Sequence, residues 1–84
     1  MSRVAIYNLY WSTYGGGEQV SGAIAESLRA GNQVTLLGPE PVDVRTTADR
    51  LGVDLSSCEW RRVVDDEEAS VASADFDVFV NGTY

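Results

Sequence analysis

Val4-Ala5-Ile6-Tyr7-Asn8-Leu9, running into Tyr10-Trp11-Ser12-Thr13-Tyr14-Gly15-Gly16-Gly17-Glu18, is the stretch that decides the architecture. Its first six residues are mostly apolar without strict alternation, the pattern of a short strand buried on both faces of a parallel sheet. An aromatic and glycine-rich loop follows. From Glu18 the period changes: Val20, Ala23, Ile24, Ser27 and Leu28 recur at steps of three and four, which predicts a helix with those residues as its buried stripe. Glu18 falls in the first turn, where a negative charge suits the helix dipole, and Gly31 stands where a left-handed cap would end the helix. A buried strand, a glycine loop and a one-sided helix form the opening unit of a parallel α/β sheet.

The rest of the chain repeats the alternation. Gln33-Val34-Thr35-Leu36-Leu37 predicts a second strand, closed by Gly38-Pro39, with Glu40-Pro41 continuing the turn. Asp43 can cap a second helix through Leu51, with Val44, Ala48 and Leu51 on one side and Gly52 beyond its end. After a linker from Val53 to Ser57, Cys58 to Val64 reads as a third strand, less apolar and therefore nearer a sheet edge. Asp65-Asp66-Glu67-Glu68 opens a short helix to Ser73, and Phe76-Asp77-Val78-Phe79-Val80 is a fourth strand. The expected fold class is α/β: a partial, Rossmann-like, three-layer α/β/α arrangement of about four parallel strands in the order 3-2-1-4. Because such a sheet would leave raw edges, residues 1–84 are expected to form a truncated N-terminal domain, with self-association as one way to cover those edges.

Composition removes several function classes. The chain has 84 residues, 44% of them apolar, which is a folded composition rather than a disordered one. It contains no His and no Lys, since all six basic residues are Arg. A Ser–His–Asp triad, a His metal site, a lysine Schiff base and a Walker lysine are thereby excluded within this stretch. One cysteine, Cys58, allows neither an internal disulfide nor a thiolate zinc cluster, and with no activating His or Lys it reads as a small buried hydrophobe. A net charge of −7 argues against a surface that tracks nucleic-acid phosphates. No apolar run reaches the roughly 18–20 residues of a membrane span. Met1-Ser2-Arg3 leads directly into the strand, so no signal peptide is expected and a cytoplasmic domain is the reading. No cofactor and no metal are expected.

In open α/β sheets ligands bind outside the carboxyl ends of the strands, where the strand order reverses. With the order 3-2-1-4 that place lies between strands one and four. Their carboxyl ends deliver Tyr10 to Glu18 and Asn81-Gly82-Thr83-Tyr84. Gly15, Gly16 and Gly17 ahead of a helix allow close backbone approach and leave the helix N–H groups facing an anionic or hydroxylated ligand. A tight turn with no ligand satisfies the same pattern. Glu18 suits sugar hydroxyls better than bare phosphate, or caps its own helix. The dinucleotide fingerprint is broken, because Val20 stands where a third glycine belongs and Glu40 only loosely fits the acidic ribose position. Tyr10, Trp11 and Tyr14 either stack on a ring or fold back as core. Asp65 to Glu68 reads as a solvated helix start rather than a metal cluster, since consecutive helix residues do not face one another. Arg61 and Arg62, pointing to opposite faces of a strand, read as surface residues.

Val4-Ala5-Ile6-Tyr7, the Gly15-Gly16-Gly17-Glu18 turn, the segment Ser27-Leu28-Arg29-Ala30-Gly31-Asn32-Gln33-Val34-Thr35-Leu36, and Phe76-Asp77-Val78-Phe79-Val80-Asn81 together resemble the N-terminal domain of family-four, GT-B-fold glycosyltransferases. The resemblance covers nearly the whole chain, Leu51-Gly52-Val53-Asp54-Leu55 included. It implies two Rossmann-like domains facing across a cleft, the N-terminal one receiving the acceptor and the C-terminal one holding the nucleotide-sugar. It also implies that Gly15, Gly16, Gly17 and Glu18 line the donor-phosphate and acceptor loop. Tyr10, Trp11, Tyr14 and Asn81 would then form acceptor-side walls. The catalytic C-terminal domain is absent from these residues, so no catalytic residue is assigned and the fragment alone is expected to be inactive.

Two other readings stand beside it. Tyr7 through Ser12-Thr13-Tyr14-Gly15 into a helix also resembles the phosphate loop of flavodoxins, with Phe76 to Tyr84 as the second loop of an FMN-binding electron-transfer domain. Against it, a helix and a strand between Val44 and Val64 precede the strand that flavodoxins reach directly after strand two. The third reading is a non-catalytic α/β interaction module whose edges a partner covers.

Overall fold

The computed structural model describes residues 2–9, 11, 16–39 and 43–82, the side chains of residues 16–18 excepted. Four strands and three helices alternate along it: β1 (Arg3–Tyr7), α1 (Gly16–Leu28), β2 (Gln33–Gly38), α2 (Val44–Leu51), β3 (Glu59–Arg62), α3 (Asp66–Ala72) and β4 (Val78–Asn81), with a 3₁₀ turn at Ser73–Asp75 before β4. The strands form one sheet in the order β3-β2-β1-β4, and all three pairings are parallel. Val4 stands opposite Val34 on one side and Val78 on the other, and Tyr7 opposite Leu37 and Asn81. This is the α/β, Rossmann-like arrangement that the alternation predicts.

Each strand sends alternate side chains to opposite faces. Val4 and Ile6 of β1 and Val34 and Leu36 of β2 meet Ala25 of α1 and Leu51 of α2 in the larger core, which also takes in Trp11 and Leu55. Ala5, Tyr7 and Leu37 point the other way, onto Val63 and onto Ala69 and Ala72 of α3. β1 and β2 are buried along nearly their whole length, whereas Glu59, Arg61 and Arg62 of β3 are exposed, as suits an edge strand. Val78 of β4, at the other edge, is 46% exposed.

The caps agree with the sequence except at one place. Asp43 accepts the Arg45 N–H at 3.0 Å and starts α2, and Gly52 ends it at φ +71°. Asp65 accepts the Glu68 N–H at 2.9 Å and starts α3. Gly31 is not the predicted left-handed cap, because Gly52 alone among the described glycines has positive φ. Helix α1 instead ends under Asn32, whose amide donates to the Leu28 carbonyl at 2.9 Å.

In α1, Ile24 and Leu28 pack against the larger core as the period predicts, but the rest of the buried stripe is rotated from the prediction. Val20 is 54% exposed, and Ala23 and Ser27 face solvent, while Ser21, Gly22 and Ala25 are buried. The cause is close approach on two sides. A Cβ on Gly22 would lie 2.9 Å from Leu51 Cδ1, and one on Gly82 would lie 2.1 Å from Ser21 Oγ. Only small residues fit that face, so it turns inward and the bulkier Val20 turns out. β4 likewise starts later than the apolar run, because Phe76 closes the 3₁₀ turn through its N–H to Ser73 O at 3.1 Å.

Candidate functional site

The carboxyl ends of β1 and β4 are neighbours, and α1 starts after the loop that leaves β1. The reversal point expected from the strand order is thus where the sheet has it. α1 begins at Gly16, so two of the three glycines lie inside its first turn rather than ahead of it. Glycine weakens a helix interior, but first-turn N–H groups have no intrahelical partner to lose, and the packing of Ser21 and Ala25 farther along holds the helix in place.

A polar clamp closes the strand exits from below. Asn8 is fully buried and donates through Nδ2 to Ser21 Oγ at 3.2 Å and to the Gly82 carbonyl at 3.3 Å. The Gly82 N–H donates to the Tyr7 carbonyl at 2.7 Å, carrying the β1–β4 ladder one residue past the strand. One side chain therefore joins the end of β1, the second turn of α1 and the residue after β4. Nothing in the periodicity announces this role. The available signal was a polar residue closing an apolar strand.

Of the predicted wall residues, Trp11 has a different place. It is 2% exposed, sits in the larger core and donates its indole N–H to the Leu37 carbonyl at 2.9 Å, so its ring offers no face to a ligand. The reason is the end of β2: Gly38 has no side chain, and a Cβ there would lie 2.9 Å from both Trp11 Cδ1 and Trp60 Cη2. The two indoles share the space that glycine leaves. Gly15, Tyr10, Tyr14 and Glu40 lie outside the described residues, and Gly16, Gly17 and Glu18 are placed only as the first turn of α1.

Asn81 ends β4, is exposed and lines a hollow of about 340 Å³ between α3 and β4, with Tyr7, Asp66, Ser70, Ser73 and Phe79 around it. The Tyr7 hydroxyl donates to Asp66 Oδ1 at 2.9 Å. Burial, then the bond to Asp66 and the charges of Asp66 and Asp65, push the Tyr7 phenol up to about 12. It stays a neutral donor.

A larger hollow, about 640 Å³, lies beside α2 and the 53–58 loop, lined by Val44, Ala48, Val53, Leu55 and the half-buried Cys58. Burial pushes the Cys58 thiol up, which keeps it protonated and unreactive. Arg29 pins this loop through Asp54 at 2.5 Å, and the Ser56 N–H and hydroxyl hold the Asp54 carboxyl below its usual range, with Arg29 adding to the effect. Arg61 pairs with Asp75 at 2.8 Å and Arg62 donates to the Pro39 carbonyl at 3.0 Å, so both serve the surface as expected. Among the described residues no group of three or more acidic or Cys side chains is placed to hold a metal ion, and no helix is long and apolar enough to cross a membrane.

Comparison with family models, curated proteins and solved structures finds no match to this chain.

Proposed function

We propose that residues 1–84 form the acceptor-side, N-terminal part of a glycosyltransferase that moves a sugar from a nucleotide-sugar donor to an acceptor, with a second domain supplying the donor site. The observation that carries the reading is the reversal point itself. There the first turn of α1, with Gly16 and Gly17, lies near the adjacent ends of β1 and β4. Backbone N–H groups at a helix start suit the diphosphate of a nucleotide-sugar approaching from across a cleft. The strand order supports this reading over the flavin one, because flavodoxin-like sheets run 2-1-3-4-5 whereas β3 here lies outside β2.

The test is a ¹⁵N-resolved titration of the chain with UDP-glucose, GDP-mannose and FMN in separate series. The expected result is millimolar binding of a nucleotide-sugar that moves the amides of Gly16 to Val20 and of Gly82, lost in Gly16→Val. FMN binding with a flavin absorbance band, or no movement at the start of α1 with either nucleotide-sugar, would overturn the proposal.

A further inference from the structure

We infer that the hollow between α3 and β4 binds one uncharged, hydroxylated ring of monosaccharide size, anchored by the Asp66 carboxylate. The identification of that ring with the acceptor rests on the glycosyltransferase reading, but the site's chemistry does not.

Size comes first. About 340 Å³ lies at the small end of the roughly 300–1,000 Å³ of ligand pockets, which suits one sugar ring and not a nucleotide-sugar. Charge comes second. Among the described residues no Arg lines the hollow, and its charged lining side chain is the Asp66 carboxylate, so a phosphate is repelled.

Hydrogen-bonding capacity then selects among what remains. The Tyr7 hydroxyl, on a side chain only 2% exposed, holds Asp66 Oδ1 in place, which leaves Oδ2 to accept from a ligand hydroxyl. Ser73, which lines the hollow, donates its hydroxyl proton to the Ser70 carbonyl at 2.6 Å, so its oxygen is left as an acceptor. Ser70 and Asn81 each carry both donor and acceptor atoms. A ring bearing several hydroxyls matches such a mixed set, whereas an organic ammonium offers donors only. Phe79, half-buried and tilted 35° to Tyr7 at 6.1 Å, supplies the apolar wall against which the C–H face of a sugar packs.

The test is a ¹⁵N titration of the chain with methyl glycosides of the common hexoses, and separately with methylammonium, which carries N–H donors and no acceptor. The expected result is millimolar binding of a glycoside that moves the amides of Tyr7, Asp66 and Phe79. Asp66→Asn should weaken it about tenfold, as loss of a charge-assisted hydrogen bond does. Tyr7→Phe, which frees the carboxylate rotamer, should weaken it a few-fold, and Glu67→Gln, which removes the same charge from the next residue, should leave it unchanged. Equal binding by native chain and Asp66→Asn, tighter binding of the ammonium, or no glycoside binding would each overturn the inference. Glycoside binding here without nucleotide-sugar binding at the start of α1 would sustain this site while defeating the proposed function. The reverse result would do the opposite.

Discussion

Asn8 donates a hydrogen bond to Ser21 Oγ at 3.2 Å, fastening the exit of the central strand to the second turn of α1. The same amide reaches the Gly82 carbonyl at 3.3 Å, so a single buried side chain holds three elements around the reversal point. Asn8→Ala leaves a buried carbonyl and a buried hydroxyl short of a donor. A loss of about 1–3 kcal/mol in urea unfolding is expected. Asn8→Asp should cost at least as much, because it sets a carboxylate against the Gly82 carbonyl.

Gly82 and Ser21 are matched in size. A Cβ on Gly82 would lie 2.1 Å from Ser21 Oγ but 3.3 Å from its Cβ. Gly82→Ala should therefore destabilise by about 1–3 kcal/mol as an overpacking change. Adding Ser21→Ala should recover part of that loss, giving a double-mutant coupling of favourable sign. Simple additivity of the two changes would show that the contact is not the cause.

Two glycines that look alike in the sequence should respond oppositely to alanine. Gly52 is at φ +71°, so Gly52→Ala should cost about 1 kcal/mol. Gly31 has no positive φ and open space where a Cβ would go, so Gly31→Ala should be neutral or stabilising by about 0.4–1 kcal/mol. Thermal melts of the two variants check this directly.

The Tyr7 phenol gives an alkaline signature. Its pKa rises from 10.0 to about 12 on folding, so the folded state favours the protonated form and its contribution is complete below pH 10. That contribution disappears as pH rises from 10 to 12. Urea midpoints measured across this range should fall steeply for the native chain and less for Tyr7→Phe. A phenolate absorbance titration with all four tyrosines ionising near 10 would contradict it.

Trp11 is core by geometry. Trp11→Phe loses the indole bond to the Leu37 carbonyl and should cost about 1–2 kcal/mol. In a Trp60→Phe background, Trp11 emission should be blue-shifted and poorly quenched by acrylamide. Strong quenching would return the ring to solvent.

What could be read in the sequence was whatever depends on spacing along one element. The strand and helix alternation, the caps at Asp43 and Gly52, the acidic start of α3 and the edge character of Glu59–Arg62 follow from local pattern, and the strand order from the general rules for parallel α/β connections. What could not be read depends on two elements meeting. Val20 scores as core until Gly22 meets Leu51 and Ser21 meets Gly82, and only then does the small face of α1 turn inward. Trp11 looks like a ligand platform until the bare backbone of Gly38 opens a slot for it. Tyr7 and Asp66 are 59 positions apart, and no spacing rule joins them.

The strand order also bears on how the chain is made. β1 lies in the middle of the sheet, yet its partner on one side arrives late: the Arg3 N–H awaits the Asp77 side chain, 74 residues downstream. At roughly 5–20 residues per second of synthesis, Val4 to Tyr7 would leave the ribosome several seconds before Val78 to Asn81 exist to complete the ladder. During that interval a half-built sheet can hold β1 only through β2. The nascent chain should therefore be most vulnerable to protease and to mispairing until β4 emerges.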